Sequence, residues 1–445
     1  MPPEKSDPIP DNDSAKQVTD GSDPYHQPAY RYYALGLLTV VYAFNFIDRQ
    51  LLAILQESIK IELGLSDSQL GLLTGFAFAV FYVTAGIPIA RLADRWVRRN
   101  IIAIAIGTWS LMTALSGLAG NYAQLLAARI GVGIGEAGGS PPAHSMLSDI
   151  FPPHQRATAL SFYSTGINVG ILFGFLLGGW LNEFFGWRVA FMVVGLPGLA
   201  IAVLVRVTLT EPRRGFSERI APANQETSSL REVLALLWSR RSFRCLSIGA
   251  ALSAMIGYGA ASWLAPFFIR IHGMGTGELG MWLALGSGVF GALGTFTAGY
   301  LADKFGKRDQ RWYMWLPAAA TFLAIPASLV FLITDSKLTA LLLQLLPGFL
   351  ANVFIGPCLA MTHGLVGLRM RATASAILFF IINLIGLGLG PLVIGVLSDA
   401  LAASYAVESL RYAMLYTLPA IGVVCGLLYL LSAKYLREDL ANAPR

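Results

Sequence analysis

Apolar residues in this chain run in long, nearly unbroken stretches, without the strict alternation of a half-buried strand. Helix-length stretches fall at about 32–55, 69–92, 99–119, 121–147, 157–181, 187–209, 243–269, 278–302, 312–334, 338–365, 372–398 and 410–433. Each is long enough to cross roughly 30 Å of hydrocarbon at about 1.5 Å per residue. The pattern predicts an all-α integral membrane protein with twelve transmembrane helices. The longest polar interval after the N-terminal tail, 211–242, contains EPRR, SER and NQETSS and divides the stretches six and six. The domains expected are a disordered tail over 1–30, an N-terminal six-helix bundle over 31–210, a linker over 211–242, a C-terminal six-helix bundle over 243–434 and a short tail over 435–445. Within the linker, Leu230, Val233, Leu234, Leu236 and Leu237 make an amphipathic turn or two, either a plain linker helix or one lying on the membrane face.

Composition agrees with a membrane solvent. Hydrophobic residues make up 55% of the 445 and charged residues 13%, against roughly a quarter charged in soluble domains. Most of the 46 glycines and 22 prolines lie inside apolar runs, where membrane helices use them for close contact and kinking. Of the 32 Lys and Arg, 25 fall on the side that holds both termini, five on the other, and two, Arg49 and Arg129, within the membrane. That bias places both termini in the cytoplasm and the protein in a cell membrane, with a bacterial inner membrane expected. The net charge of +6 then reflects topology and inner-leaflet lipid, not nucleic acid. Residues 1–29 have no basic stretch followed by an apolar core, so no cleaved secretory signal is expected. Cys245, Cys358 and Cys425 stand far apart in apolar runs, as inert thiols without metal-ligand spacing. A monomer without metal or cofactor is expected.

The two halves repeat. ARLADRWVRR at 90–99 matches GYLADKFGKR at 299–308, and RATA at 156–159 recurs at 371–374, with Asn168 and Asn383 both twelve residues further on. Buried charge does not repeat. Asp48 and Arg49 in the first stretch and Arg129 and Glu136 in the fourth sit deep in apolar surroundings, where each costs about 2.5–3.5 kcal/mol at the bilayer centre. They should face the bundle interior and pair. Arg129 and Glu136, seven residues apart, share a helix face about 10 Å from each other, whereas Asp48 and Arg49 point roughly 100° apart. No comparable charge lies in the apolar cores of the second half. The cavity is therefore expected to have one ionic wall and one apolar, aromatic wall. No phosphate-binding loop, zinc-binding H-E-x-x-H or serine elbow is present, so the chain does not read as an enzyme.

The loops at 90–99 and 299–308 resemble the signature loop of the major facilitator superfamily, G-x-x-x-D-R/K-x-G-R/K-R/K; the second fits fully, and the first has Ala90 and Val97 in place of glycines. LLAARIGVGIGEA at 125–137 resembles that superfamily's fourth-helix motif. With N-F-I-D-R-Q at 45–50 it looks like the Spinster family, although organic-anion symporters share part of the pattern. The resemblance covers about 32–433. It implies two six-helix bundles, proton coupling associated with Arg129, and lysolipid or sphingoid phosphate substrates. It also implies a cytoplasmic gate in which Asp94 caps the eleventh helix near Arg371 and Asp303 caps the fifth near Arg156, with Arg95, Arg98 and Lys304 beside them.

The function expected is secondary transport by alternating access, coupled to protons, of an amphipathic small molecule. Asp48, Glu136 and Arg129 are the coupling candidates, with either Arg129 released to an anionic headgroup when Glu136 is protonated or the reverse exchange coupling antiport; the sequence does not fix the direction. Arg49, Arg129, Asn45, Tyr258 and Asn383 are the substrate-binding candidates. Rival readings are a proton-coupled symporter of small organic anions, a drug efflux pump, or a sensor without flux.

Overall fold

Helices begin and end where local chemistry supplies or withdraws backbone partners. The computed structural model describes residues 24–93, 95–217, 229–367 and 370–444. Helix α1 (Pro28–Leu63) opens on a proline, whose missing N–H costs nothing there, and stops at Gly64 with a left-handed φ of 64°. Ser66 and Gln69 then form a capping box that starts α2 (Asp67–Ala93). Helix α3 (Arg98–Ser116) leads to α4 (122–150), which is capped by Asn121 and interrupted between Glu136 and Ser140. Pro153–Thr208 is one helical path that turns back on itself at Gly186, where φ 79° and ψ 164° suit glycine alone. It therefore forms α5 (153–185) and α6 (187–208).

After a short linker helix (Leu230–Ser239) come α7 (Arg241–His272), α8 (Thr276–Gly306), α9 (Trp312–Ile333), α10 (Lys337–Gly364), α11 (371–405) and α12 (Ser409–Ala441). Among the described residues, eight stretches are long and apolar enough to cross a membrane; Pro153–Thr208 and Arg371–Ala441 each cross twice, and α3 and α4 complete twelve. The chain is already folded at Tyr25, which is fully buried, and α12 runs on to Ala441 with Leu436 buried. Folded structure thus extends into both expected tails; residues 1–23 of the first, 218–228 of the linker and Arg445 lie outside the described residues.

The Tyr25 hydroxyl donates to the Thr210 carbonyl, and Arg240 donates to the Asn442 carbonyl. The two ends of the described chain and the linker therefore share one face, here the linker face; the opposite one is the far face. Apolar packing differs between them. Toward the far face one cluster draws on both halves, joining Leu51, Leu73 and Phe175 to Trp263, Phe267, Phe268, Leu279 and Ile394. Toward the linker face the clusters are separate: one is built mainly from the N-terminal half around Tyr25, Ile106, Trp109 and Tyr163, the other from the linker helix and C-terminal half around Val233, Phe243, Leu378 and Tyr429. The halves meet through α1 with α7, α2 with α11 and α5 with α8. Short π-helical segments at Leu72–Phe76, Ala284–Phe290 and Ile382–Leu387 lie on these meeting helices, a local irregularity that often marks functional positions.

Candidate functional site

Helix α4 comes close to its neighbours because glycines line its contact face. A β-carbon on Gly133 would sit 2.9 Å from the Phe78 carbonyl oxygen on α2, and one on Gly135 would sit 2.7 Å from the Trp109 nitrogen on α3. This approach brings Glu136, at the end of the regular turn, to α1. There Arg49 Nε donates to Glu136 Oε2 at 2.8 Å; the Glu136 side chain is wholly buried and Arg49 is 14% exposed. A charge-assisted bond of this length offsets part of the penalty that a low-dielectric medium imposes on each ion. Asn45, one turn earlier on α1, is buried and faces the same carboxylate.

Aromatic rings enclose the guanidinium. Arg49 Cζ lies 5.0 Å from the Phe46 ring centre and 5.1 Å from those of Phe78 and Tyr82, within range of attraction by ring faces. Tyr42 adds an edge contact to Phe46 and stacks on Tyr163 at 4.5 Å. Tyr258 of α7 lies within electrostatic reach of Arg49 and packs against the N-terminal cluster, so the C-terminal half contributes one polar aromatic group here.

The other two ions form a second layer. Asp48 Oδ2 accepts a hydrogen bond from Thr113 Oγ1 on α3 at 2.9 Å, both residues being buried. Arg129 Cζ lies 5.6 Å from the Phe78 ring, within electrostatic reach of Asp48, Arg49 and Glu136. Among the described residues, Asp48 Oδ1, Glu136 Oε1, and Arg129 Nε and Nη1 are buried without a hydrogen-bond partner. The direct Arg129–Glu136 exchange expected from sequence is not set up in this structure. Two helical turns separate the residues along α4, and Arg49 reaches across from α1 to take the carboxylate.

Other expected positions divide. Asn383 lies on the π segment of α11, with its side-chain amide turned back to the Phe379 carbonyl at 2.9 Å. Trp263, Phe267 and Phe268 are fully buried in the far-face cluster, so the rings around the charges come mainly from α1 and α2 of the N-terminal half. Of the gate residues, Asp94 lies outside the described residues. Asp303, expected to cap α5, is exposed and accepts a hydrogen bond from Tyr313 at 3.0 Å. Arg98 is buried. It donates to Glu211, Asp149, Ser145 and the Pro212 carbonyl, so it fastens the start of the linker to α3 and α4 within one half. Arg156 donates to Ser217 at 3.2 Å. Arg95, Lys304 and Arg371 are exposed, with Lys304 Nζ 5.6 Å from the Tyr300 ring.

Among the described residues, a polar joint between the halves lies at the far face, in residues that sequence reasoning did not single out. Arg270 of α7 donates to Glu57 of α1 and, through both Nη atoms, to Asp67 of α2, each at 2.8 Å. Asp67 also accepts from Lys60 and from Ser398 of α11. Asp399 of α11 accepts from the backbone N–H groups of Asp67 and Ser68 at 3.0 and 2.7 Å, capping α2 from the opposite half. The repeat supplies a counterpart. Glu183 of α5 accepts from the Gly277 N–H at the start of α8, and Asn182 donates to Thr276. The halves are thus tied by ion pairs and helix caps at the far face, whereas their linker-face clusters stay separate.

A model of the Major Facilitator Superfamily matches residues 38–391. An MFS-type efflux pump of Mycolicibacterium smegmatis is 32% identical over 426 residues, covering 96% of this chain and 98% of that protein. Protein spinster homolog 3 of Danio rerio is 28% identical over 446 residues, covering 92% and 86%. Among solved structures, a bacterial homologue of the human lysosomal transporter Spinster, in its inward-facing and unoccupied conformation, matches with a TM-score of 0.86 at 33% identity, over 93% of this chain and 99% of that one.

Proposed function

The chain belongs to the major facilitator superfamily and is a secondary transporter with Spinster-like structural neighbours, and from that premise we propose that it moves an amphipathic, lipid-like substrate by proton-coupled alternating access. The observation that carries this reading is the Arg49–Glu136 pair inside its box of Phe46, Phe78 and Tyr82. A cation flanked by rings suits a ligand with an anionic head and an apolar body, and the partial exposure of Arg49 leaves it able to exchange partners.

Coupling then follows from charge balance. While Glu136 is ionised it holds Arg49. A proton taken up by Glu136 removes the negative charge and weakens that bond, so Arg49 turns to a substrate phosphate or carboxylate. Loss of the proton draws the guanidinium back to Glu136 and releases the anion. Asp48, held by Thr113, and Arg129 set the local field and give the proton a second carboxylate to visit. Tyr258 lets the C-terminal half sense whether Arg49 is occupied. The linker face is the cytoplasmic one in this reading, the conformation is inward-facing, and a monomer suffices for transport.

The test is flux in proteoliposomes with a panel of lysolipids, sphingoid phosphates and organic acids, with and without a pH gradient. Uptake or release of a lysolipid that a pH gradient accelerates is expected. Glu136→Gln should fold and bind but lose the response to the gradient; an unchanged response sinks the coupling scheme. Drug efflux is a second reading, its outward direction favoured by the likeness to the mycobacterial efflux pump. Drug flux that survives Arg49→Gln would support it over the anionic substrate.

A further inference from the structure

The linker helix is apolar over more of its circumference than the protein covers. At about 100° per residue, Leu236, Val233, Leu237, Leu230, Leu234 and Trp238 occupy one continuous arc of roughly 200°. Half of that arc is used internally. Val233 and Leu237 are fully buried in the cluster that contains Phe243 and Leu246 of α7 and Ala374, Ile377 and Leu378 of α11. The other half is bare: Leu230, Leu234 and Trp238 are 59%, 42% and 48% exposed, in a row along the helix at every fourth position.

Charge frames this row. Arg231 lies next to Trp238 on the helical wheel, and Arg241 and Arg244 are exposed at the start of α7 immediately after the helix. Arg241 Cζ and Lys434 Nζ stand 5.5 and 5.7 Å from the Tyr435 ring, extending the basic and aromatic rim onto α12. Glu232 and Ser239 face the opposite arc, and Asp439 is engaged by the Ser242 N–H at 2.8 Å. The helix sits where α7 and α11 begin, at the level where spanning helices leave the hydrocarbon and tryptophan and arginine prefer to lie.

We propose that the exposed row of the linker helix is a membrane-docking surface, with Leu230, Leu234 and Trp238 entering the leaflet on the linker face and the surrounding arginines binding anionic phospholipid headgroups. One apolar row at headgroup level, edged by cations, matches an interfacial helix. Because the other side of the same helix is locked to α7 and α11, the leaflet and the C-terminal bundle share one lever, and lipid charge acts directly on the half that must rock.

The test uses the full chain with Cys245→Ser and a single reporter cysteine, either Leu234→Cys on the bare row or Glu232→Cys on the polar arc. Each is labelled with an environment-sensitive dye and reconstituted in phosphatidylcholine vesicles, with or without phosphatidylglycerol, that carry a nitroxide near the headgroup. The label at 234 should lose most of its emission and the label at 232 little. Quenching at 234 should grow with phosphatidylglycerol, and Arg231→Gln with Arg241→Gln should abolish that growth. Equal quenching at both positions, or none at 234 as a soluble protein partner would leave it, overturns the docking surface. Quenching indifferent to phosphatidylglycerol overturns the anionic headgroup. Hydrogen exchange of residues 230–239 in the unsubstituted chain gives a reading free of mutation: exchange should slow on adding phosphatidylglycerol, and unchanged exchange overturns the proposal.

Discussion

The two halves share a scaffold and divide the chemistry. In the N-terminal half, helices α1 and α4 hold four ions, three of them buried and Arg49 partly so, with Arg49 bonded to Glu136 and Thr113 of α3 bonded to Asp48. In the C-terminal half, the buried polar node between α7, α10 and α12 is neutral: Ser253 and Tyr429 share a hydroxyl hydrogen bond at 2.9 Å, and the Cys425 thiol donates to the Gly249 carbonyl. Cys358, on α10, lies within 3.9 Å of the Tyr429 hydroxyl. An ion left unpaired in a low dielectric is far more costly than a hydroxyl left unpaired. Gain or loss of one proton among those ions would therefore change the energy of the first half substantially. The neutral node of the second half offers no such lever.

The largest test of that contrast is Arg49→Ala, which strands Glu136 inside the protein. It should lower stability by about 3–5 kcal/mol, the range for breaking a buried pair from one side, and eliminate coupled flux. Thermal unfolding in detergent and proteoliposome flux read the two effects. Glu136→Gln in the same background should restore part of the stability without restoring flux. Next comes Arg270→Ala at the far face, expected to cost about 2 kcal/mol because Asp67 keeps Lys60 and Ser398 as partners. It should also widen spin-label distances between α5 and α8 at that face; unchanged distances would show that the network does not hold the halves together.

Tyr429→Phe removes one neutral bond from the C-terminal node. A loss of about 1 kcal/mol is expected, with the pH profile of transport unmoved. A displaced pH profile would break the division between halves. The smallest effect is expected at Asp309, on the linker-face loop before α9, whose carboxyl Arg311 and Arg437 hold at about 2. A depressed carboxylate contributes its stability above the ordinary range and loses it only as pH falls toward 2. Asp309→Asn should therefore leave the variation of stability between roughly pH 5 and 8 unchanged. Unfolding temperatures across that window check it.

The sequence made the architecture readable because membrane crossing is a length criterion, and a repeated loop motif is a register. The depth and identity of the four ions were readable for the same reason, since helical rise fixes their level. Their pairing was not. Whether Glu136 meets Arg129 or Arg49 depends on the rotation of α1 against α4 and on the interruption of α4 just after Glu136, neither of which periodicity encodes. Phe46 stands one turn from Arg49, a spacing that could have signalled part of the ring enclosure, whereas Phe78 and Tyr82 arrive from α2 through packing alone. The caps at the far face were hidden for a different reason. Glu183 and Asp399 look like ordinary charges at helix ends until the other half supplies the backbone N–H groups they accept from.

Gly186 has a consequence for how the chain is made. A single residue stands where two membrane-crossing helices elsewhere in a protein would be joined by several, so α5 and α6 have no spare chain between them. The pair is expected to enter the bilayer as one hairpin, and a side chain at position 186, strained at a positive φ, should lower the yield of inserted protein.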